Sequence, residues 1–123
     1  MKIITIHSSP DQFFDTYTSL VFKPVKGLSP TEVAVFSELL RQNWVYHNIP
    51  PTERNIFIFR TENKKLIQDK LKLPRGTFYN IMASLRKKGL ITYDTIRPQY
   101  LVTPEDGCKV GFHIKLKDVN ADN

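Results

Sequence analysis

Between Arg54 and Lys88 the chain places ten basic side chains, Arg54, Arg60, Lys64, Lys65, Lys70, Lys72, Arg75, Arg86, Lys87 and Lys88, against two acidic ones, Glu62 and Asp69. That segment carries a net charge of +8 within a chain of net +6, so the remaining residues sum to −2. A cationic block inside an otherwise slightly acidic chain is the electrostatic footprint of a surface that meets polyphosphate. The same charges also suit a solvated helix face, and the residues between them have to decide.

Residues able to catalyse do not assemble. His7, His47 and His113 share no metal-ligand spacing with one another or with Cys108, and H-E-x-x-H, C-x-x-C and phosphate-loop motifs are absent from the sequence. Cys108 follows a turn glycine without an evident partner base, and Asp94, Glu105 and Asp106 form no recognisable carboxylate pair. Neither an enzyme nor a metal or other cofactor is expected. The one cysteine cannot form an internal disulfide, which fits a reducing compartment. The best local apolar run, Ile56 to Phe59, has four residues, far short of a membrane span, and MKIITIHSSP is too interrupted for a signal peptide. A cytoplasmic location and no membrane partner are expected.

The elements that must position the cations come next. At 123 residues, with 41% hydrophobic and 24% charged residues, the chain reads as one ordinary globular domain and not a disordered chain or a coiled rod. Lys2 to Ile6 reads as a short strand, and Ser9-Pro10-Asp11-Gln12 opens a helix carrying Phe13, Phe14 and Tyr17. Beyond Tyr17, Leu20-Val21-Phe22 suits helix or strand, and Gly27 ends the segment. Ser29-Pro30-Thr31-Glu32 is a capping box, and Val33, Phe36, Leu39 and Leu40 predict a helix to about Trp44. A loop through Pro50 and Pro51 leads to a brief strand, Ile56 to Phe59. Thr61 or Asn63 is expected to cap a helix with Leu66, Ile67 and Leu71 on its apolar face. Leu73-Pro74-Arg75-Gly76 must turn, and Thr77 is expected to cap a second helix whose Phe78, Ile81, Met82 and Leu85 form one stripe, closed by Gly89. Leu90 to Tyr93 and Gln99 to Thr103 are expected as extended segments. Pro104 to Gly107 is expected to turn, and Lys109 to Lys117 to form the clearest strand. Residues 118–123 read as a flexible tail.

Helix, short strand, helix, tight turn, helix and hairpin is the order of the winged helix-turn-helix fold. LKLPRGTFYNIMASLRKKGLI, Leu71 to Ile91, resembles the turn and recognition helix of bacterial, plasmid and phage winged-helix proteins. LSPTEVAVFSELL is similar to the first helix of MarR-like and plasmid replication-initiator proteins. YLVTPE, Tyr100 to Glu105, resembles a wing segment of some relatives, with Thr103 where Asn is more usual. The resemblance implies an α+β class: a three-helix core with a C-terminal β-hairpin wing over residues 28–117, preceded by an N-terminal extension over residues 1–27. It also implies double-stranded DNA as partner, and a homodimer reading two half-sites, with the extension as its contact.

On that fold the face of the second helix opposite its apolar stripe meets the major groove. Arg75, Tyr79, Asn80 and Ser84 are the expected base readers, Arg having the fork for guanine and Asn the paired donor and acceptor for adenine. Lys64, Lys65, Lys70, Lys72, Thr77, Arg86, Lys87 and Lys88 suit phosphates. Arg97, Lys109 and His113 are the wing candidates. The function read from this is that of a sequence-specific DNA-binding protein, a transcriptional regulator or replication initiator of a phage or mobile element. Two alternatives stand beside it: a small terminase-like packaging or structural component, and a winged helix that binds protein and not DNA.

Overall fold

Ser29 and Glu32 cap each other. The Glu32 amide donates to Ser29 Oγ and the Ser29 amide donates to Glu32 Oε1, both at 3.1 Å. With Pro30 at the first helical position this starts helix α3, Pro30–Val45, the longest in the computed structural model, which describes residues 2–8, 10–101 and 110–116. Helices α1 (Pro10–Tyr17) and α2 (Lys23–Lys26) precede it, joined by a π-helical turn, Thr18–Phe22. Helices α4 (Pro51–Ile58), α5 (Thr61–Leu71) and α6 (Arg75–Lys87) follow. Strands β1 (Lys2–Ser8) and β2 (Val110–Leu116) pair antiparallel, Lys2 opposite Leu116 through Ser8 opposite Val110. No described helix is long and apolar enough to cross a membrane.

α3 is the axis of the body, in contact with α1, the π turn, α4, α5 and α6. A helix enclosed on most sides buries polar as well as apolar positions, and each buried polar group then needs a partner. Val33, Val35, Phe36, Leu39 and Leu40 fill the core, while Glu32, Ser37, Glu38, Gln42 and Asn43 are buried beside them. Each is satisfied: Ser37 donates to the Phe14 carbonyl, Asn63 donates to Gln42 at 2.6 Å, and Arg54 donates to Asn43 at 3.1 Å. Phe13, Phe14 and Phe22 from the N-terminal helices sit in the same core as Phe78, Ile81, Met82 and Leu85 of α6.

The expected α+β winged class is overturned. Between residues 12 and 101 the structure is helix and turn with no strand, so the body is all-α. Among the described residues no strand hairpin follows α6. Leu90, Ile91 and Ile96 are drawn into the core, leaving room only for an isolated Ile91–Ile96 bridge, with the Thr92 amide donating to Thr95 at 2.8 Å and that of Arg97 to Leu90 at 3.1 Å. Pro98 then opens a 3-10 turn, Pro98–Tyr100, where an extended segment was expected. The strand expected near residues 109–117 does form, as β2, but its partner is β1 from the other end of the chain and not a neighbouring wing strand.

The strand expected over Ile56 to Phe59 is the end of α4 and its C-cap, because Pro51 starts a helix that buries Ile58, leaves Ile56 exposed and ends at buried Phe59. Leu20-Val21-Phe22 is helical. The residue before α5 is Arg60, and Asn63, expected as a cap, is buried and donates to the Ile58 carbonyl at 2.7 Å. α6 begins at Arg75 after Pro74, so Thr77 is a helical residue and makes no cap. The turn expected at Pro104 to Gly107, residue 109 and the tail at 118–123 lie outside the described residues.

Candidate nucleic-acid interface

Three residues, Lys72, Leu73 and Pro74, join α5 to α6. The α5 terminus closes as a Schellman motif: the Leu73 amide donates to Gln68 at 2.9 Å and the Lys72 amide to Asp69 at 3.3 Å. Lys72 holds the left-handed position, φ 55°, that glycine normally takes. α6 closes the same way, with the Gly89 amide donating to Arg86, that of Leu90 donating to Leu85, and Gly89 at φ 78°.

With Phe78, Ile81, Met82 and Leu85 all buried, α6 turns its opposite ridge outward. Gly76, Asn80, Ala83 and Lys87, at three- and four-residue spacing, form that ridge, and all four are exposed. Arg75 and Thr77 are exposed at its start. Two of the four ridge residues are small, so the helix backbone itself stands close to whatever it meets.

The two flanks of α6 differ. On one, Ser84 Oγ donates to Glu32 at 2.8 Å, and Lys88 Nζ donates to both Glu32 oxygens and to the Gly27 carbonyl. Burial alone would raise the Glu32 carboxyl, but hydrogen bonds from Lys88, Ser29 and Ser84 outweigh it and bring it from 4.5 to about 2. On the other flank Tyr79 packs edge-on against Phe78, with the Arg75 guanidinium 5.6 Å and the Lys64 ammonium 5.8 Å from its ring centre. Further along, the Arg86 guanidinium stacks 4.4 Å from the ring centre of Tyr93.

These contacts divide the expected site residues. Ser84 and Lys88 spend their donors on Glu32, and Lys70 donates to buried Glu38 at 2.8 Å. Glu38 also takes Arg41 at 2.6 and 3.0 Å; burial would raise its carboxyl, and the Arg41 and Lys70 contacts hold it below the ordinary value. Arg54, part of the basic block, is a structural clamp on the carbonyls of Tyr46, His47 and Ile49. Tyr79 is half-buried and occupied as a platform. Lys64, Lys65, Lys72, Arg75, Arg86 and Lys87 form no ion pair among the described residues; Asn80 and Lys87 stand on the ridge, Arg75, Thr77 and Arg86 beside it on α6, Lys72 in the turn before it, and Lys65 is exposed on α5. Arg97 is exposed before the 3-10 turn; His113 stands in β2 opposite Thr5, away from any wing; Lys109 lies outside the described residues.

Sequence reading missed the parts played by Tyr93, Gly76 and Glu38, and read Glu32 only as a capping-box acid. A signal for Glu38 was available, since Ala34 and Val35 precede it at helical spacing and Leu39 and Leu40 follow it. No group of three or more His, Cys, Asp or Glu side chains that could hold a metal occurs among the described residues. No protein-family model matches the chain, and no curated protein or solved structure shows significant similarity to it.

Proposed function

We propose that this protein binds double-stranded DNA in a sequence-specific manner, with α6 entering the major groove, and acts in transcriptional regulation or replication initiation. The observation that carries the reading is the charge distribution around α6. The buried acids of α3 take up Lys70 and Lys88, while Lys72, Arg75, Arg86 and Lys87 on or beside α6 and Lys64 over Tyr79 form no ion pair among the described residues, and the outward ridge carries no acid. A solvated helix face has no need of that segregation, whereas a helix approached by phosphates on both sides does.

In this arrangement Asn80 on the ridge and Arg75 at its start read base edges, each bidentate contact discriminating by about 1–3 kcal/mol. Lys64, Lys65, Lys72 and Lys87 contribute affinity without sequence information. Thr77, in the first turn of α6, is placed for a phosphate. Ser84, engaged with Glu32, is left out of the readout set, and Tyr79 supports cations rather than reading bases.

The test is selection from a random double-stranded DNA pool across a salt series, with Asn80→Ala and Arg75→Ala beside the native chain. Enrichment of one motif, relaxed at distinct positions by the two variants, is the expected result. Absence of binding at low salt would overturn the reading, and binding without enrichment would reduce it to a non-specific cationic surface.

A further inference from the structure

The α6 flank that carries no buried acid has its cations stacked on aromatic rings. Lys64 of α5 lies over Tyr79, and seven residues beyond Tyr79 on the same helix Arg86 lies on Tyr93. Seven residues bring a helix back to within roughly 20° of its starting direction and advance it by about 10 Å. Tyr79, which backs Lys64, and Arg86, which is backed by Tyr93, therefore sit in one row along one side of α6.

Tyr93 is the less expected member. It is 79% exposed, the most exposed of the large hydrophobic side chains among the described residues, although apolar ring surface normally gains from burial. The turn that carries it is firmly built: Thr92 and Thr95 hydroxyls meet at 2.6 Å, the Thr95 amide donates to Thr92 Oγ1 at 3.1 Å, and the Ile91–Ile96 bridge closes it below. Asp94, the nearest acid in that turn, accepts from Thr92 Oγ1 at 3.2 Å. So the core-anchored turn holds a ring out in solvent, with the guanidinium of Arg86 lying on it.

A guanidinium stacked on a ring keeps its N–H edge free, and the fork of that edge matches two phosphate oxygens. The stacking also removes rotamer freedom before a ligand arrives, so less is lost when it binds. We infer that Tyr93 and Tyr79 are positioning residues that hold Arg86 and Lys64 in a row along one flank of α6 to clasp successive phosphates of one DNA strand. This rests on the DNA-binding reading above and adds to it which flank follows a backbone and which residues aim the cations.

The deciding experiment measures affinity of the full-length chain for a random duplex and for the selected motif, from low to high salt, in the native protein and in Tyr93→Leu, Tyr93→Phe, Arg86→Gln and the Tyr93→Leu/Arg86→Gln pair. Exposure of Tyr93 makes loss of folding no obstacle, and circular dichroism checks it. Tyr93→Leu is expected to lower the slope of log affinity against log salt by up to about 1, as Arg86→Gln does. That corresponds to up to about a fourfold change in relative affinity between 50 and 200 mM salt, equal for both duplexes. Tyr93→Phe keeps the ring and the native slope, and the double variant is no weaker than Arg86→Gln alone. A native slope in Tyr93→Leu while Arg86→Gln falls, or a native slope in Arg86→Gln, overturns the inference and leaves DNA binding standing. A native chain that binds no duplex at low salt overturns both.

Discussion

Lys88 Nζ donates to both carboxylate oxygens of Glu32, at 3.0 and 2.9 Å, and so fastens the end of α6 to the first turn of α3. Glu32 is also the capping-box acid of α3 and the acceptor for Ser84, so one carboxylate caps one helix and orients another. This side chain ties one flank of α6 to α3, beside the buried stripe that turns the ridge outward.

Glu32→Gln is therefore expected to destabilise the fold by about 2 kcal/mol, since Lys88 is left without its charge partner in a largely buried place. The pH dependence has a definite sign. With the folded carboxyl at about 2 and the ordinary value at 4.5, the unfolded chain takes up the proton first. The stabilisation is complete above about pH 4.5 and is lost as the pH falls towards 2; Glu38, also lowered, acts in the same direction. Urea titrations at several pH values between 2 and 6 should show a shallower loss in Glu32→Gln than in the native chain. An unchanged pH slope would show that the carboxylate does not titrate with folding.

The cations should separate into two classes. Lys65→Gln and Lys87→Gln, both at exposed positions, should each reduce the salt slope of DNA binding by about 0.9 and change stability by less than about 0.5 kcal/mol. Lys70→Gln and Lys88→Gln should do the reverse, lowering the melting temperature and leaving the salt slope close to native. Equal slopes for Lys88→Gln and Lys65→Gln would mean that the buried acids do not withdraw their partners from the interface.

What the sequence made legible follows from how local each signal is. The capping box at Ser29 and Glu32, the stripe Phe78-Ile81-Met82-Leu85 and the Gly89 stop are all set by residues within about two turns of one another, and each stands as read. The failures came where tertiary packing decides. Ile56 to Phe59 has β-type composition, yet Pro51 and the burial of Ile58 and Phe59 make it helix. Leu90 and Ile91 look like a wing strand and are spent on the core. Ser84 has an outward-reading residue type, but its hydroxyl is claimed by Glu32, which is 52 residues earlier in the chain and out of reach of any periodicity argument. Tyr93 carried no local pattern, since its role depends on Arg86 arriving from the preceding helix.

Lys72 is the one non-glycine residue at positive φ among the described residues. A side chain in that conformation costs about 1 kcal/mol relative to glycine, so Lys72→Gly should raise stability by up to about that amount. The same change removes a cation beside the start of α6 and should lower DNA affinity with a reduced salt slope. Gained stability with unchanged affinity would place Lys72 outside the interface.

Gly76 gives the complementary case. A Cβ built there meets nothing within 4 Å, so no internal packing requires a glycine in the first turn of α6. Alanine is the better helix former by about 0.5–1 kcal/mol, and Gly76→Ala should raise the melting temperature accordingly. On the ridge with Asn80 and Ala83, however, the absent side chain lets the helix backbone approach a surface closely. Gly76→Ala is therefore expected to bind the selected duplex more weakly while folding more stably, and a bulkier Gly76→Val should weaken binding further. A more stable Gly76→Ala that binds DNA as tightly as the native chain would remove this ridge from the groove-facing side of the protein.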